Sequence, residues 1–515
     1  MFSSATLGRN EMGSREIGTV VCTVDGPNSS EFSFVVTRST DGEVPVRKGH
    51  IVALKGEDGE VIGSVAEIVK TNRYFERADS VKEFERSASI SSIFPVDKWE
   101  YIIAKARLMG VRNHADGRFA KADYPPSPGE KVYFAEDELI KDILGFEREN
   151  GLVLGTLYQH DTKVSVDLTR FLQRHVALLG ISGGGKSYLA SVILEELLSR
   201  QKEEGRLAII VIDVHGEYTS FSENSVKPEL EDFSDRVKVM KGSYFEIAAR
   251  YLTSSFFMDL SPQMSLVQAR ELSSVIDEMR KKMRESKRSF DLSDMINTVE
   301  ANERMNQRVK EALLGWLYDI ESMKIVGRDE NPKLEDALVP GKAMIIDLSD
   351  IVNLRRKQLI VTYLATRLFS LRRREEVPPF VMILEEAHQF CPEGSKSLAP
   401  SRGIIETIAR EGRKFFASLV LISQRPVRLS TTVLSQCNTQ VVMRVTNPYD
   451  LQHIGESSEG IDRSALDTIS SLRPGEALLV GSAVNFPVFI HVRKRKSNEP
   501  RLSRSLEDVA RSFDS

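Results

Sequence analysis

Residues 180–187 read Gly-Ile-Ser-Gly-Gly-Gly-Lys-Ser, and this stretch decides the fold. It matches the phosphate-binding P-loop pattern, a glycine and any four residues followed by Gly-Lys and a serine or threonine. The apolar run 175–179 before it predicts a buried strand, and the run 188–198 after it predicts a helix. A loop between strand and helix lets backbone N–H groups turn towards phosphate oxygens, at the positive end of the helix. The stretch therefore predicts a nucleotide-phosphate site on an α/β sheet.

Each residue type in this loop has a predicted role. Lys186 is expected to contact the β- and γ-phosphates of ATP, and the Ser187 hydroxyl is expected to bind Mg²⁺. The remaining residues expected to surround the nucleotide are Gly180, Ile181, Ser182, Gly183, Gly184, Gly185 and Tyr188.

A second apolar run, residues 380–384, ends in the acidic pair Glu385 and Glu386. We expect Glu385 to hold the Mg²⁺ shell, usually through water, and Glu386 to polarise the attacking water. The alternative is an acidic first turn that complements a helix dipole.

Two more polar residues follow predicted strands. Asp213 ends the apolar run 207–212 and is expected near the nucleotide, because parallel strands present their carboxyl ends at one edge of the sheet. The alternative for Asp213 is a capped turn that includes Gly216. Gln424 ends the predicted strand 419–424 and is a candidate sensor of the γ-phosphate, or else a strand-end amide that is bonded locally.

Three arginines are candidates to neutralise the charge that phosphoryl transfer develops. Arg174 precedes the strand that leads to the P-loop, so it is expected at the far end of that strand, within reach only of a neighbouring subunit's nucleotide. Arg410 and Arg413 stand three residues apart at a predicted helix start, so they share one face. The alternative for each arginine is a surface ion pair.

Length and composition exclude several classes of protein. The 515 residues, 41% of them hydrophobic, suffice for two to four domains. There is neither a run of about 18–20 apolar residues that would span a membrane nor an apolar signal-peptide region in residues 1–14. The net charge of -4 argues against a protein that coats nucleic acid with its whole surface, but permits a basic pore. Three cysteines without metal-binding spacing fit a reducing, cytoplasmic location; they are Cys22, Cys391 and Cys437.

The pattern of hydrophobic and polar residues changes along the chain. Short alternating runs separated by turn residues predict a small β-barrel and a linker over residues 1–150. Fully apolar runs that alternate with helical ones predict a mostly parallel α/β core in two parts, residues 151–260 and 341–492. The charged stretch 261–340 predicts an inserted helical bundle without strands, and residues 493–515 a tail that either packs on a neighbour or is solvated.

Together these motifs resemble the HerA/FtsK superfamily of hexameric DNA-translocating ATPases, and the HerA branch most closely. The resemblance rests on the P-loop, on Arg174 and His175 ahead of it, and on four further stretches. These stretches are Asp213-Val-His-Gly-Glu-Tyr218, Glu385-Glu-Ala-His388, Ile408-Ala-Arg-Glu-Gly-Arg-Lys-Phe415 and Ser423-Gln-Arg-Pro426. Val214 departs from the family, which often has proline at that position.

The resemblance implies a RecA-like P-loop motor core with an N-terminal barrel, six subunits in a ring, and ATP with Mg²⁺ at the subunit interfaces. Double-stranded DNA would pass through the pore. A nuclease of the NurA type would dock on the barrel, so that the pair resects DNA ends for recombinational repair. Lys396 and Arg402, in a mildly basic stretch after the acidic pair, are the predicted DNA contacts, and the alternative is a solvated loop.

Two other functions remain open. A related motor of conjugation or secretion would move DNA or protein across a membrane, but it predicts a membrane segment that the sequence lacks. A nucleotide-gated ring that serves mainly as a scaffold for a nuclease would carry the same P-loop. Hydrolysis that is stimulated by DNA, without displacement of a bound strand, would distinguish the scaffold from the motor.

Overall fold

The computed structural model describes residues 16–22, 26–38, 43–57, 59–72, 100–114, 117–261, 263–394, 399–458, 460–500, 507 and 510–512. The chain forms two units. Unit 1 comprises Met1–Glu149, Thr156–Ser165 and Val484–His491, and unit 2 comprises Asn150–Gly155, Val166–Ala483 and Val492–Ser515.

Unit 1 is built around a β-barrel. Its strands are β1 (Glu16–Val21), β2 (Glu31–Val36), β3 (Ile51–Lys55), β4 (Gly59–Asn72), β5 (Glu100–Asn113), β6 (Phe119–Ala120) and β7 (Lys131–Phe134). The strand order is β2-β1-β7-β3-β4-β5-β6, and β2 also pairs antiparallel with β5, which closes the barrel. Within the described ranges six strands form the closed ring, and their inward side chains, such as Phe34 and Val52, are fully buried. The predicted small barrel is confirmed.

Helix α1 (Asp137–Leu144) follows the barrel strands, and strands β8 (Leu152–Leu157) and β9 (Lys163–Val166) come next in the chain. Helix α1 buries Leu139, Ile140, Ile143 and Leu144 along one face and ends at Gly145, which adopts a left-handed conformation. Such a glycine is a common helix terminator because it lacks a Cβ.

Unit 2 contains a mostly parallel sheet. The strands of unit 2 that follow β9 are β10 (Val176–Leu179), β11 (Ala208–Asp213), β12 (Val237–Lys241), β13 (Ile247–Ala248), β14 (Val326–Gly327), β15 (Ala343–Asp347), β16 (Phe380–Leu384), β17 (Ala417–Ser423), β18 (Thr439–Val442) and β19 (Glu476–Gly481). The last strand of the chain, β20 (Val488–Val492), belongs mostly to unit 1. The central order is β12-β15-β11-β16-β17-β10-β18-β19, and only the β18–β19 pair among these eight is antiparallel. Every residue of β10, β16 and β17 is buried, as expected for parallel strands covered on both faces. The predicted parallel α/β core is confirmed.

The register of these strands gathers their carboxyl ends. Leu179 of β10 pairs with Ser423 of β17, and Leu384 of β16 pairs with both Leu421 of β17 and Ile212 of β11. The segments that follow β10, β11, β16 and β17 therefore leave the sheet at the same edge, where α/β proteins bind ligands.

Helices of unit 2 flank the sheet and build an insertion. They are α2 (Leu168–Leu172), α3 (Lys186–Ser199), α4 (Ser254–Leu260), α5 (Leu266–Ser286), α6 (Leu292–Glu300), α7 (Gln307–Ser322), α8 (Leu334–Ala337), α9 (Leu354–Arg373), α10 (Ser401–Phe415), α11 (Thr431–Leu434), α12 (Pro448–Ser457) and α13 (Arg463–Ser471). Within the insertion, Ser265 and Asp291 begin α5 and α6 with capping boxes. The prediction of a strand-free insertion is wrong at β14, which pairs with β13. Two residues are too short a run to show strand periodicity, so only the tertiary pairing reveals this strand.

Residues 493–498 lie against helix α3 of their own chain. The buried Glu195 carboxylate accepts hydrogen bonds from the Ser497 hydroxyl at 2.6 Å and from the Arg493 guanidinium at 2.7 Å. Asn498 contacts a different segment, since its side chain accepts a hydrogen bond of 3.1 Å from the Val226 N–H. For these residues the structure shows an arrangement that differs from both predicted alternatives, a solvated end and a tail on a neighbour.

The part of the chain that the structure describes has no helix with the length and apolarity needed to cross a membrane.

Candidate nucleotide site

The P-loop joins the end of β10 to the start of α3. Its backbone is left-handed at Gly183, with φ 72°, and at Gly185, with φ 99°, a region that side chains rarely adopt. The Ile181 N–H donates to the Arg444 carbonyl at 2.9 Å, which ties the loop to the segment after β18. A Cβ on Gly185 would lie 2.9 Å from the Met443 side chain. The glycines therefore allow both the curvature of the loop and its close packing.

Lys186 is buried within this loop. Its Nζ donates to the Ile181 carbonyl at 2.8 Å. Burial lowers the pKa of Lys186, and the nearby Glu386, Glu217 and Glu385 carboxylates act against this lowering. The lysine thus lies within the electrostatic reach of the acids that follow β11 and β16.

Ser187 lies in the first turn of α3, next to the segment that follows β11. Burial raises the pKa of the fully buried Tyr218, and the neighbouring Ser187 side chain acts against that rise. Tyr188, the next residue, is partly exposed, and its hydroxyl accepts a hydrogen bond of 2.7 Å from the Arg495 N–H. Tyr188, which is one of the predicted nucleotide-binding residues, is therefore hydrogen-bonded to the C-terminal segment.

Glu385 joins two of the strand ends. Its Oε2 accepts hydrogen bonds from the backbone N–H groups of Val214 at 2.8 Å and His215 at 3.2 Å. Burial and the negative charge of Asp213 raise the pKa of Glu385. A buried carboxylate of this kind gains from a neighbouring cation, because the cation offsets the lost hydration of the charged form.

Glu386 has a different environment. It adopts a left-handed backbone with φ 48°, and its side chain is mostly buried. Its Oε2 has no hydrogen-bond partner among the residues that the structure describes, although His388 Nδ1 lies 3.2 Å away. Burial raises the pKa of Glu386, while the Lys186 ammonium and the Gln424 side chain act against that rise. The structure therefore brings Glu386, Lys186 and Gln424 together at one edge of the sheet.

His388 lines the same edge. Burial, together with the positive charges of Arg425 and Arg428, lowers its pKa to about 4. The ring is therefore neutral near pH 7, and its Nδ1 lies 3.2 Å from the Ser423 hydroxyl. A neutral ring contributes no counter-charge to Glu386.

Asp213 shapes a turn. Its fully buried carboxylate accepts hydrogen bonds from the N–H groups of Gly216 at 2.7 Å, Glu217 at 3.0 Å and Tyr218 at 2.9 Å. Asp213 lies at the predicted edge, but its oxygens bind the turn after β11, as the capped-turn alternative states. Glu385 holds the same turn from the neighbouring strand.

A magnesium ion fits this donor set. Ser187 offers a hydroxyl, and Glu385 and Glu386 are buried carboxylates with raised pKa values, one of which has an unpartnered oxygen. Over the described ranges no group of three or more His, Cys, Asp or Glu side chains could enclose a metal. Mg²⁺ in nucleotide sites does not need such a cage, because phosphates and water supply most of its ligands.

The three candidate arginines lie away from this edge. Arg174 is exposed and precedes β10, and its carbonyl accepts from the Asn438 N–H at 2.9 Å. The prediction that Arg410 and Arg413 lie at a helix start is wrong, because α10 begins at Ser401 and both arginines lie near its carboxyl end. Both are exposed, whereas the opposite face of α10 is buried.

Of the two predicted DNA contacts, the structure describes only Arg402. Lys396 lies outside the described residues. Arg402 is not in a loop but in the first turn of α10, where its Nε pairs with Glu406 Oε1 at 2.8 Å and its Nη1 donates to the Gly394 carbonyl. The loop prediction fails because the buried apolar side chains of α10 begin only at Ile405, so residues 401–403 carry no periodic signal.

Sequence reasoning missed the segment after β18. Met443 and Arg444 contact the P-loop glycines and the Ile181 N–H, as described above. The largely apolar residues 440–445 predict a strand but not its neighbours in the sheet, because the adjacency of β18 to β10 depends on strand order, which the sequence does not state.

Comparison with known proteins agrees with this geometry. Residues 152–368 match a family model described as the central domain of the helicase HerA. A probable helicase of Methanocaldococcus jannaschii is 27% identical over 485 residues, which cover 87% of this chain and 86% of the relative. The DNA double-strand break repair helicase HerA of Pyrococcus furiosus is 25% identical over 504 residues, which cover 86% of this chain and 87% of that protein.

Among solved structures, VirB4 of Thermoanaerobacter pseudethanolicus aligns with a TM-score of 0.48 at 14% identity, over 68% of this chain and 97% of that one. The family model, the relatives that align along most of the chain and the P-loop with its acidic edge lead to one assignment. The chain is similar to the HerA/FtsK-type ATPases along most of its length and is an ATP-hydrolysing P-loop enzyme.

Proposed function

We propose that this chain forms a ring that uses ATP hydrolysis to move along double-stranded DNA, with a partner nuclease, during the processing of broken DNA ends. The main support for the proposal is that the side chains of Lys186, Glu386 and Gln424 lie close together at the P-loop edge. The similarity to helicases named HerA supports DNA as the substrate.

The residues divide the chemistry of hydrolysis between them. The loop from Gly180 to Ser187 would surround the phosphates, with the Lys186 ammonium transferring its hydrogen bond from Ile181 to a phosphate oxygen. Bound Mg²⁺, held by Ser187 and through water by Glu385, would add positive charge at the phosphate oxygens. The unpartnered oxygen of Glu386 would accept a hydrogen bond from the attacking water and orient it.

Gln424 is suited to sense the γ-phosphate. It directly follows β17, and its side chain already influences the pKa of Glu386. β17 lies between β10 and β16, so a movement of Gln424 would displace the strands that lead to the P-loop and to the acidic pair. This position supports a role in coupling hydrolysis to movement.

A head-to-tail ring would complete the site. Arg174 stands at the amino end of β10, and the strand leads away from it towards the P-loop at about 3.3 Å per residue. Arg174 therefore lies far from its own phosphates but would reach those of the next subunit, as would Arg410 or Arg413. In this ring each interface contributes a P-loop from one subunit and arginines from the other.

The catalytic edge also presents apolar surface that a second copy would cover. A cleft of about 1170 Å³ beside His388 is lined in part by Val352, Leu354 and Val427. These three side chains are exposed, Val352 almost completely at 99%. Apolar side chains grouped on a surface mark sites of association.

We place the DNA contacts near the start of α10 and at Lys396, and the nuclease on the barrel. The DNA backbone would be bound by cationic side chains, which carry no sequence preference. Because Arg402 is paired with Glu406, the ion pair must open before Arg402 binds a phosphate.

The test is ATP turnover with and without linear duplex DNA, together with displacement of a triplex-forming strand. A motor is expected to hydrolyse ATP faster on duplex DNA and to displace the third strand. Stimulated hydrolysis without displacement would favour a nuclease scaffold instead. Turnover that does not respond to duplex DNA would contradict the proposal, and Glu386→Gln provides the hydrolysis-deficient control.

A further inference from the structure

His175 has an unusual backbone for its position. It is buried, with 1% of its surface exposed, and its φ of 58° is left-handed. A side chain with a Cβ adopts this conformation at an energetic cost, so the surrounding contacts must hold it in place. The residue stands between exposed Arg174 and the first residue of β10.

Both ring nitrogens of His175 are bonded to backbone groups. Nδ1 accepts a hydrogen bond of 3.0 Å from the Leu419 N–H, and Nε2 lies 3.0 Å from the Ala409 carbonyl. An N–H can only donate and a carbonyl can only accept, so Nδ1 is unprotonated and Nε2 carries the hydrogen. Burial lowers the pKa of His175 to about 4, which keeps this neutral form near pH 7.

The two bonds reach two different elements. Ala409 lies in α10 and immediately precedes Arg410. Leu419 lies in β17, which leads to Gln424 at the catalytic edge. His175 itself begins the run that becomes β10 and then the P-loop. One side chain therefore joins the helix that carries two arginines to the two strands that end at the nucleotide.

The packing around the ring leaves little space for independent movement of α10. A Cβ on Gly412 would lie 3.3 Å from the ring Cε1 and 2.4 Å from the Ala417 carbonyl. Gly412 lies between Arg410 and Arg413, so the helix meets the ring at the turn that presents these arginines. A displacement of α10 would therefore displace the ring or break its hydrogen bonds.

We propose that His175 is a positioning residue for hydrolysis in the neighbouring subunit. By bonding α10 and β17 together, it fixes Arg174, Arg410 and Arg413 relative to the strands that lead to its own P-loop and Gln424. A change at one nucleotide site, such as hydrolysis, would therefore move the arginines that act on the nucleotide of the next subunit. This inference rests on the head-to-tail ring proposed above, and a core histidine with only a structural role would affect stability alone.

Two substitutions separate the two hydrogen bonds. The amide oxygen of His175→Asn lies near the position of Nδ1 and keeps an acceptor for Leu419, and asparagine tolerates the left-handed backbone. The amide nitrogen of His175→Gln lies near the position of Nε2 and keeps a donor for Ala409. The Asn variant therefore loses the link to α10, and the Gln variant retains it.

We expect His175→Asn to bind nucleotide within about two-fold of the parent affinity, since its own P-loop is intact. Its DNA-stimulated turnover should fall at least about ten-fold, because a misplacement of about 1 Å in a catalytic group can cost about 100-fold. His175→Gln should recover part of that loss. Parent-level turnover in His175→Asn, or a loss in nucleotide affinity equal to the loss in turnover, would overturn the proposal.

Mixed assemblies give the readout that a purely structural role would not change. His175→Asn subunits have an intact Glu386, and Glu386→Gln subunits have intact arginines, so their mixture contains complete interfaces. Turnover above that of either variant alone is expected. Should His175→Asn not fold, the same mixture with His175→Gln is measured, and its smaller defect should again be relieved.

A mixture of Arg174→Ala with Glu386→Gln subunits is the control. If that control regains turnover and neither His175 mixture does, His175 does not act across the interface and the inference is wrong. If the control itself regains none, and neither does an Arg410→Ala or Arg413→Ala mixture, the arginines do not act in trans. The ring proposal then fails, and the inference with it.

Discussion

The Glu385 carboxylate accepts a hydrogen bond of 2.8 Å from the Val214 N–H, so the end of β16 is joined to the turn that follows β11. Asp213 holds the same turn from within through four backbone N–H groups. Glu386, the next residue along, keeps a buried oxygen without a hydrogen bond in the described part of the chain. The two adjacent acids therefore have different surroundings, since Glu385 is hydrogen-bonded to a neighbouring turn and Glu386 keeps an oxygen without a hydrogen-bond partner in the described residues.

Glu386→Gln should separate binding from hydrolysis. We expect turnover to fall by about 10²- to 10⁴-fold, the usual contribution of a group that accepts a proton or orients water. Nucleotide affinity should stay within about two-fold. Burial raises the pKa of Glu386, so an uncharged amide there should not lower the melting temperature of the nucleotide-free protein.

The measurements are steady-state turnover, calorimetric nucleotide titration and thermal melting. Lys186→Ala is the matched control, because it should lose nucleotide affinity as well as turnover. Unchanged turnover in Glu386→Gln would remove this residue from the catalytic site.

Gly185→Ala should weaken nucleotide binding. The backbone of Gly185 has φ 99°, and a Cβ there would lie 2.9 Å from Met443 Cε. A left-handed alanine costs about 1–2 kcal/mol. Part of that strain would be relieved by reshaping the loop, so affinity should fall about ten-fold, which corresponds to about 1.4 kcal/mol.

Gly315→Ala is the control for this substitution. Gly315 lies inside α7, and an added Cβ meets nothing within 4 Å there. It should leave nucleotide affinity unchanged and raise the stability by about 0.5–1 kcal/mol. Equal affinities for the two variants and the parent would show that the curvature at Gly185 is not required.

The nucleotide edge could be predicted because its elements are local in sequence. The P-loop with its strand and helix, and the acids after β11 and β16, each depend on a short apolar run followed by polar residues. In a parallel sheet the carboxyl ends of all strands lie at one edge, whatever the order of the strands. This explains why Glu386 and Gln424 lie near Lys186.

The remaining features depend on tertiary structure. No local sequence pattern predicts that β17 lies between β16 and β10 in the sheet. Asp213 turns inward because its carboxylate accepts hydrogen bonds from four successive N–H groups of its own turn. The position of Arg410 was misjudged because the first turn of α10 contains serine and glycine, which are common in loops.

The contact of the C-terminal segment with α3 should contribute to stability. Arg493 pairs with Glu195 at 2.7 Å and with Glu196 at 2.6 Å, and the Glu195 side chain is completely buried. Arg493→Ala leaves that carboxylate without its cation, a change that typically costs about 3–5 kcal/mol. We therefore expect a clear fall in the unfolding temperature of the full chain by calorimetry.

A second substitution tests the cause of that fall. Adding Glu195→Gln to Arg493→Ala removes the buried charge and should restore part of the lost stability. Lys496→Ala serves as the control, because its pair with Glu231 at 3.1 Å is exposed and such pairs contribute only about 0–1 kcal/mol. A double variant that is less stable than Arg493→Ala would show that the bonds from Ser497 to Glu195, and not its charge, hold the segment.

The barrel should lose stability in mild acid through His160. Its Nε2 accepts from the Ile51 N–H at 2.9 Å, and its ring centroid lies 5.4 Å from that of His50. Burial, together with the neighbouring His50, lowers the pKa of His160 from 6.5 to about 4. Between these values the unfolded chain binds a proton that the folded chain does not, so stability falls as pH decreases from about 6.5 to about 4.

At about 1.4 kcal/mol for each pKa unit, this one group accounts for a loss of up to about 3 kcal/mol over that interval. His160→Gln keeps an acceptor for Ile51 but cannot bind a proton, so its melting temperature should depend less on pH between 7 and 5 than that of the parent. Calorimetry of both full chains at each pH makes the comparison, in which His175 and His388 contribute equally to the two proteins and cancel. Parallel curves for parent and variant would show that His160 does not bind the proton that destabilises the barrel.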